Sequence, residues 1–273
     1  MKKLVLTASI VFALITGNSC SDSQSADTLE KIRSAKKIKV GYIPYFDITF
    51  RDAGSGETKG FLVDVLLEAL KDLDIQSTNI EFVETDWANF GIGLERGKYD
   101  LSIAGTFNTP VRAKIVDFSR PIFYLGNGAV VKREDDRFRD IQDFNKEGLK
   151  IAVVQGEQGY EYAKKNLPKA TIIALSGSDL TLAPLHVTFG KADAALSDQY
   201  ILRRYCEKNP EVKDTLADHP YDVLPVCWSV RKNEHDAALL RYIDEQLSKL
   251  EQSGKLQQIM ARYPMIPFAK PTR

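Results

Sequence analysis

Arg112 is the residue whose type and surroundings suggest chemistry most directly. An apolar run, Leu101 to Ala104, meets Gly105, and Thr109-Pro110 then signals a helix start. A threonine hydroxyl caps a helix, and proline suits the first helical position because no N–H is needed there. An arginine in that turn sits at the positive end of the helix dipole. This disfavours it by up to ~1 kcal/mol unless an anion shares the site. Beside free helix N–H groups, the planar guanidinium fork would receive both oxygens of a carboxylate. The alternative is a surface arginine paired with an Asp or Glu, and this segment alone does not separate the two.

Other reactive groups are sparse. The three histidines (His186, His219, His235) are scattered, and neither CxxC nor HExxH occurs, so no metal and no cofactor is expected. Cys206 and Cys227 make a plausible disulfide in an exported, oxidising setting, which would contribute ~3 kcal/mol on the chain-entropy model. Their separation in space is not legible from sequence. Lys+Arg and Asp+Glu both number 37, so no global field invites nucleic acid or an anionic membrane. A 44% hydrophobic and 27% charged chain of 273 residues is ordinary for a soluble globular protein of one or two domains.

The N-terminus reads as a targeting segment. Lys2 and Lys3 precede the apolar run Leu4 to Thr16, too short to span a bilayer, and small residues follow. Residues 1–19 are therefore expected to be a signal peptide, and its removal leaves a net charge of −2. Residues 17–20 resemble a bacterial lipoprotein cleavage box in which Cys20 becomes the lipid anchor, although Gly17 stands where leucine is usual. Ordinary cleavage near Ser19 is the alternative. The polar residues up to Asp27 would form a tether (20–27), being too hydrophilic to fold alone.

The elements that must position Arg112 alternate strand and helix. Strands are expected at Lys37–Tyr42, Asn79–Glu84 and Leu101–Ala104, with helices at Phe61–Leu73 and Trp87–Arg96 between them. After the extended run Gly126–Lys132 a second alternation follows. Strands Leu149–Val154, Thr171–Leu175 and Ala192–Ser197 enclose helices at Tyr160–Asn166 and Leu180–Thr188. Asp198 opens another helix, Leu224–Arg231 is extended, and Asp236–Tyr263 is a helical tail interrupted at Gly254. Such alternation means α/β architecture with parallel sheets, and two blocks of it suggest two lobes.

These residues carry a resemblance over essentially all of Lys37 to Pro264. Its marks are Gly60 to Asp64, Trp87 ahead of Gly97 to Asp100, Gly105 to Arg112, Asp117 to Pro121, Gly156, Gly190 to Asp198, and Gly254-Lys255-Leu256. In that order they resemble the bacterial extracellular solute-binding proteins of family 3, the periplasmic binding proteins of amino-acid ABC importers. The resemblance implies a type II periplasmic-binding fold, with two α/β lobes joined by a two-strand hinge. Lobe 1 would be 28–124 plus 225–273 and lobe 2 would be 125–224. It implies a small-molecule ligand (an amino acid or small carboxylate), an ABC permease as membrane partner and a monomer. The expected location is the periplasm or cell surface, with the membrane reached through the lipid anchor. Arg112 resembles the arginine that grips the ligand's α-carboxylate, Asp198 the acid that receives its ammonium, and Gly105 the position whose backbone carbonyl accepts from the same ammonium. Asp198 also reads as a helix N-cap, which is compatible. Tyr45 and Trp87 fall where the family stacks rings on the ligand, with Trp87 as plain core the alternative. Tyr42 stands where importers of cationic amino acids often carry an acid, so lysine or arginine is a poor expectation.

Two departures stand out. Phe107 replaces the usual Thr or Ser two residues after the glycine. Glu157-Gln158 replaces the small residues whose amides normally meet the carboxylate, and an ionised Glu157 would repel it. Either Glu157 points away or the ligand is not a simple α-amino acid. An enzymatic alternative, cyclohexadienyl (arogenate) dehydratase, shares the fold, but its catalytic glutamate falls at Ile201, which cannot transfer a proton. A ligand sensor uncoupled from transport is a further alternative.

Overall fold

The computed structural model describes residues 27–264. The signal segment, Cys20, most of the tether and residues 265–273 lie outside the described residues. Asp27 caps α1 (Thr28–Ala35) by accepting from the Glu30 amide at 2.9 Å. This helix is not anticipated from the sequence, where the polar lead-in masks the buried Leu29 and Ile32.

The first half alternates as expected: β1 (Ile38–Tyr42), a small hairpin β2 (Phe50–Arg51) and β3 (Thr58–Lys59), α2 (Phe61–Ala69), β4 (Ile80–Glu84), α3 (Phe90–Glu95) and β5 (Leu101–Phe107). β1 pairs in parallel with β4 and with β5, and α2 buries Phe61, Leu62 and Leu66 on them. Two details depart from expectation. β5 is not broken at Gly105 but continues to Phe107, with Gly105 at φ 66°. The helix expected after Thr109-Pro110 is only a 3-10 turn, Arg112–Lys114, so no macrodipole builds up behind Arg112.

Two ten-residue strands, β7 (Phe123–Lys132) following the short β6 (Val116–Phe118), and β12 (Asp222–Arg231), span both halves. Between them come β8 (Lys150–Val154), α4 (Gln158–Asn166), β9 (Thr171–Leu175), α5 (Leu182–Thr188), β10 (Ala194–Asp198), α6 (Gln199–Lys208) and β11 (Val212–Asp214). β12 leads into α7 (Ala237–Gln252) and α8 (Lys255–Met260), separated at Gly254 with φ 72°. The strand order is β4-β1-β5-β12-β7-β10-β8-β9, with β11 beside β7 and β6 beside β12. Phe123 to Asn127 pair antiparallel with Val226 back to Asp222. Beyond that stretch β7 pairs with β10, and β12 with β5. Each long strand thus gives one end to each lobe. Seven of the ten β7 residues, Leu125 to Val131, are buried in succession, which is why this segment reads as a continuous apolar run rather than an alternating one.

A second core lies under the far lobe, where Phe138 stacks on Phe144 at 4.3 Å against Ile151, Val153 and Leu196. Among the described residues the expected disulfide does not form: Cys206 and Cys227 are both free thiols. Cys206 rides on α6, packed toward β7 and β11, while Cys227 lies buried in β12 opposite Thr106 of β5. The two thiols belong to opposite lobes. Among the described residues no helix is long and apolar enough to cross a membrane.

Candidate functional site

β5 is buried along its whole length and delivers its C-terminal loop to the cleft between the lobes. There Thr109 does cap the turn, its Oγ1 accepting from the Arg112 amide at 3.3 Å. Arg112 is 4% exposed, so it is no surface arginine. One guanidinium nitrogen donates to the Phe107 carbonyl at 3.3 Å, and another reaches across the cleft to the Gly156 carbonyl at 2.7 Å. The Phe90 ring lies under it at 5.7 Å. Burial lowers its pKa, opposed by Glu157 and Glu161, but a guanidinium stays charged.

Asp198 ends β10 and caps α6, accepting from the Ile201 amide at 3.1 Å. Only 2% of it is exposed. Burial pushes it up to about 6, against the Ile201 amide and the Tyr45 hydroxyl. Glu157 is as deeply buried and caps α4: Oε2 accepts from the Gly159 amide at 2.6 Å, while Oε1 has no partner. Burial pushes it up to about 8, with the Asp198 charge adding to the effect and Arg112 opposing it. Glu157 therefore does not point away; two carboxyls and one guanidinium share a desolvated space. Gln158 is buried beside them with its Oε1 unpartnered.

The aromatic wall assembles from both lobes. Tyr45 meets Trp87 edge-on at 5.6 Å and Tyr200 at 5.9 Å, and the Trp87 indole N–H donates to the Ser178 carbonyl of the far lobe at 2.9 Å. Burial, then the Asp198 charge, holds the Tyr45 phenol well above its ordinary pKa. Phe107 is buried and contributes its carbonyl to Arg112. A Cβ at Gly105 would stand 3.0 Å from Leu62 and 3.5 Å from Val226, so only glycine suits this position and its φ.

Tyr42 is not brought into this group, contrary to expectation. At the end of β1 it donates to Glu84 at 3.0 Å and packs edge-on against Phe82, with Arg51 and Thr58 nearby. As the last residue of β1 its hydroxyl is taken up by Glu84 of the neighbouring β4 rather than by the cleft residues. Conversely, Asp47 was missed. It accepts from Tyr200 at 3.0 Å and pairs with Arg204 at 3.1 Å, joining the lobes on the outer side of Tyr45. The signal available was the i, i+4 spacing of Tyr200 and Arg204 on one helix face. One wide surface cleft of about 770 Å³, lined by Phe50, Asp64, Phe82 and Tyr263, lies elsewhere, while a smaller one of about 320 Å³ is lined by Tyr45, Ser178 and Ile201 at the rim of this group. The converging residues are instead enclosed by the meeting lobes.

Comparison with known proteins agrees with this architecture. The chain is 26% identical to a probable amino-acid ABC transporter-binding protein of Haemophilus influenzae, over 95% of this chain and 96% of the relative. It is also 26% identical to the cyclohexadienyl dehydratase of Pseudomonas aeruginosa, over 76% of this chain and 75% of that enzyme. Among solved structures, an ancestral amino acid-binding protein, described as a precursor of cyclohexadienyl dehydratase, superposes with a TM-score of 0.75 at 28% identity. That match covers 87% of this chain and 99% of the other. The family's sequence model matches residues 38–265, beginning at the first residue of β1 and running past α8. With two lobes on a shared pair of long strands and a buried arginine at their junction, the chain belongs to the bacterial extracellular solute-binding proteins, family 3.

Proposed function

We propose that this chain is the solute receptor of an ABC importer, binding a small amino acid or related carboxylate between its lobes. The carrying observation is the Arg112 fork, buried at the lobe junction and donating, among the described residues, to carbonyls alone, with Asp198 supplied from the opposite lobe. A zwitterion needs that pairing of donors and acceptor on facing walls. Tyr45 and Trp87 would flank its side chain. Residues 28–124 plus 225–273 would move as one lobe and 125–224 as the other, about the paired segments 124–128 and 221–226. Because each lobe offers what the other lacks, the ligand favours the closed form over the open one. The mature chain would act as a lipid-anchored monomer outside the cytoplasmic membrane, delivering ligand to a permease. The relatives' names support the amino-acid class.

A dehydratase is the second reading, favoured by one observation: a buried Glu157 carboxyl beside Asp198 can hold a proton at neutral pH. Against it, the position three after Asp198 is the buried hydrocarbon Ile201. Incubation with prephenate separates the two, since turnover above the spontaneous rate would establish the enzyme.

A thermal-shift screen of the mature protein against amino acids, followed by calorimetry, tests the binding reading. Losing one partner of a buried charged hydrogen bond costs roughly 2–5 kcal/mol. Arg112→Ala should therefore bind the best amino acid ~30-fold or more weakly, while Asp198→Ala loses amino acids but spares carboxylates without an ammonium. Parent-like affinity in Arg112→Ala would return that residue to a structural role.

A further inference from the structure

The cleft holds one more carboxyl than a zwitterion requires. Glu157 follows Gly156, whose carbonyl receives Arg112 at 2.7 Å, so its side chain leaves the backbone beside the guanidinium. Its two oxygens are unequal. Oε2 is fixed by the Gly159 amide at 2.6 Å, whereas Oε1 is fully buried without a partner. The charged and titratable groups around it come from four other segments: Arg112 after β5, Asp198 at the end of β10, Tyr45 after β1 and Tyr221 before β12. Glu161, on α4 itself, faces Arg112. Tyr221 is partly buried, and its hydroxyl, which is fully buried, is also unpartnered among the described residues.

Two ionised carboxyls cannot share this space against a single guanidinium already engaged by carbonyls, so one must take a proton. Asp198 has the better claim to the charge, since it accepts from the Ile201 amide and faces the Tyr45 hydroxyl. Glu157 has only the Gly159 amide, which leaves Oε1 free to carry the proton.

Resting on the binding reading above, we propose that Glu157 acts as a neutral hydrogen-bond donor, giving its Oε1 proton to the ligand's carboxylate beside Arg112. A carboxylic acid in this position does the work of a hydroxyl or amide donor and carries a pH dependence that neither would have. Glu157 is pushed up to about 8, so the donor form predominates at neutral pH and is lost as pH rises through that value. Above it, each ligand bound must bring a proton with it, and affinity falls about tenfold per pH unit. Asp198, pushed up to about 6, limits the acid side, where its loss of charge weakens the hold on an ammonium.

The test compares the parent with Glu157→Gln, which keeps the acceptor for the Gly159 amide and offers an uncharged N–H₂ donor at every pH. Binding of each standard L-amino acid is measured by calorimetry at pH 7 and pH 9.5 on both proteins. For the tightest binder, Glu157→Gln should match the parent within about threefold at pH 7 and bind at least tenfold more tightly than the parent at pH 9.5. The ratio between the two proteins cancels the titration of the amino acid's own ammonium. Infrared difference spectra, parent minus Glu157→Gln, should contain a protonated carboxyl C=O band at pH 7 that shifts when that amino acid is added. A ratio independent of pH would overturn the proposal, because Glu157 would then not be a titrating donor to the ligand. More than tenfold loss in Glu157→Gln at pH 7, with no protonated band, would overturn it in favour of an ionised carboxylate gripping a cation. If no standard amino acid binds the parent at either pH, the amino-acid form of the binding reading falls and the proposal with it.

Discussion

Gly156→Ala isolates lobe closure from folding. Gly156 sits at φ 83°, and a Cβ built there would stand 2.5 Å from the Ala88 amide nitrogen and 2.6 Å from the Ala88 Cα. Ordinary contact begins near 3.4 Å, and the atoms struck are backbone of the opposite lobe, which no rotamer change can move aside. The left-handed φ costs an alanine about 1–2 kcal/mol, a loss common to open and closed forms that lowers the melting temperature alone. The clash exists only when the lobes meet. Overpacking of that kind costs about 1–3 kcal/mol, and backing away also stretches the 2.7 Å bond from Arg112. We therefore expect about 2 kcal/mol against closure, or roughly thirtyfold weaker binding of the best amino acid. Calorimetry measures the affinity, and small-angle scattering should record a radius of gyration that no longer contracts on ligand addition. Binding within threefold of the parent, with normal contraction, would refute the idea that Gly156 meets Ala88 in the ligand-bound form.

Three further outcomes are expected. Asp47→Ala removes the bonds to Tyr200 and Arg204, so the ligand-free protein should be more open by scattering and bind ~5-fold more weakly, a loss of about 1 kcal/mol for a partly buried pair. Alkylation without reductant should label Cys206 slowly in the folded protein and Cys227 only after unfolding, burial holding the thiols up to about 11 and about 12; failure of both to label in denaturant would restore the disulfide. Cys20→Ser should abolish lipidation and release the protein from the membrane fraction, and unchanged fractionation would leave ordinary cleavage near Ser19.

The alternation of strands and helices was legible because period and length are local properties. Buried strands such as Ile151 to Val154 and Ala129 to Val131 are apolar runs that water would not tolerate exposed. The cap at Asp198 was legible for the same reason, since its partner is only three residues away. The short β2, β3 and β11 strands carry too few residues for any pattern, and α1 is helical largely because it packs on α7. Arg112 shows where local reasoning stops. Its cap was correct, but the helix behind it was not, because a threonine and a proline start a turn without ensuring that it propagates. The pairing of Cys206 with Cys227 failed because the fold carries them on different elements, α6 and β12, a placement that cysteine spacing along the chain does not encode.

Sequence by itself determined the lobed α/β plan and the arginine at a strand end. Tertiary structure alone decided that Arg112 reaches the Gly156 carbonyl, that Tyr42 turns away, and that Glu157 is buried beside Asp198. Those facts depend on how two distant segments meet across the cleft. The protonation of a carboxyl there follows from the water and charge around it, which only the closed arrangement of the lobes sets.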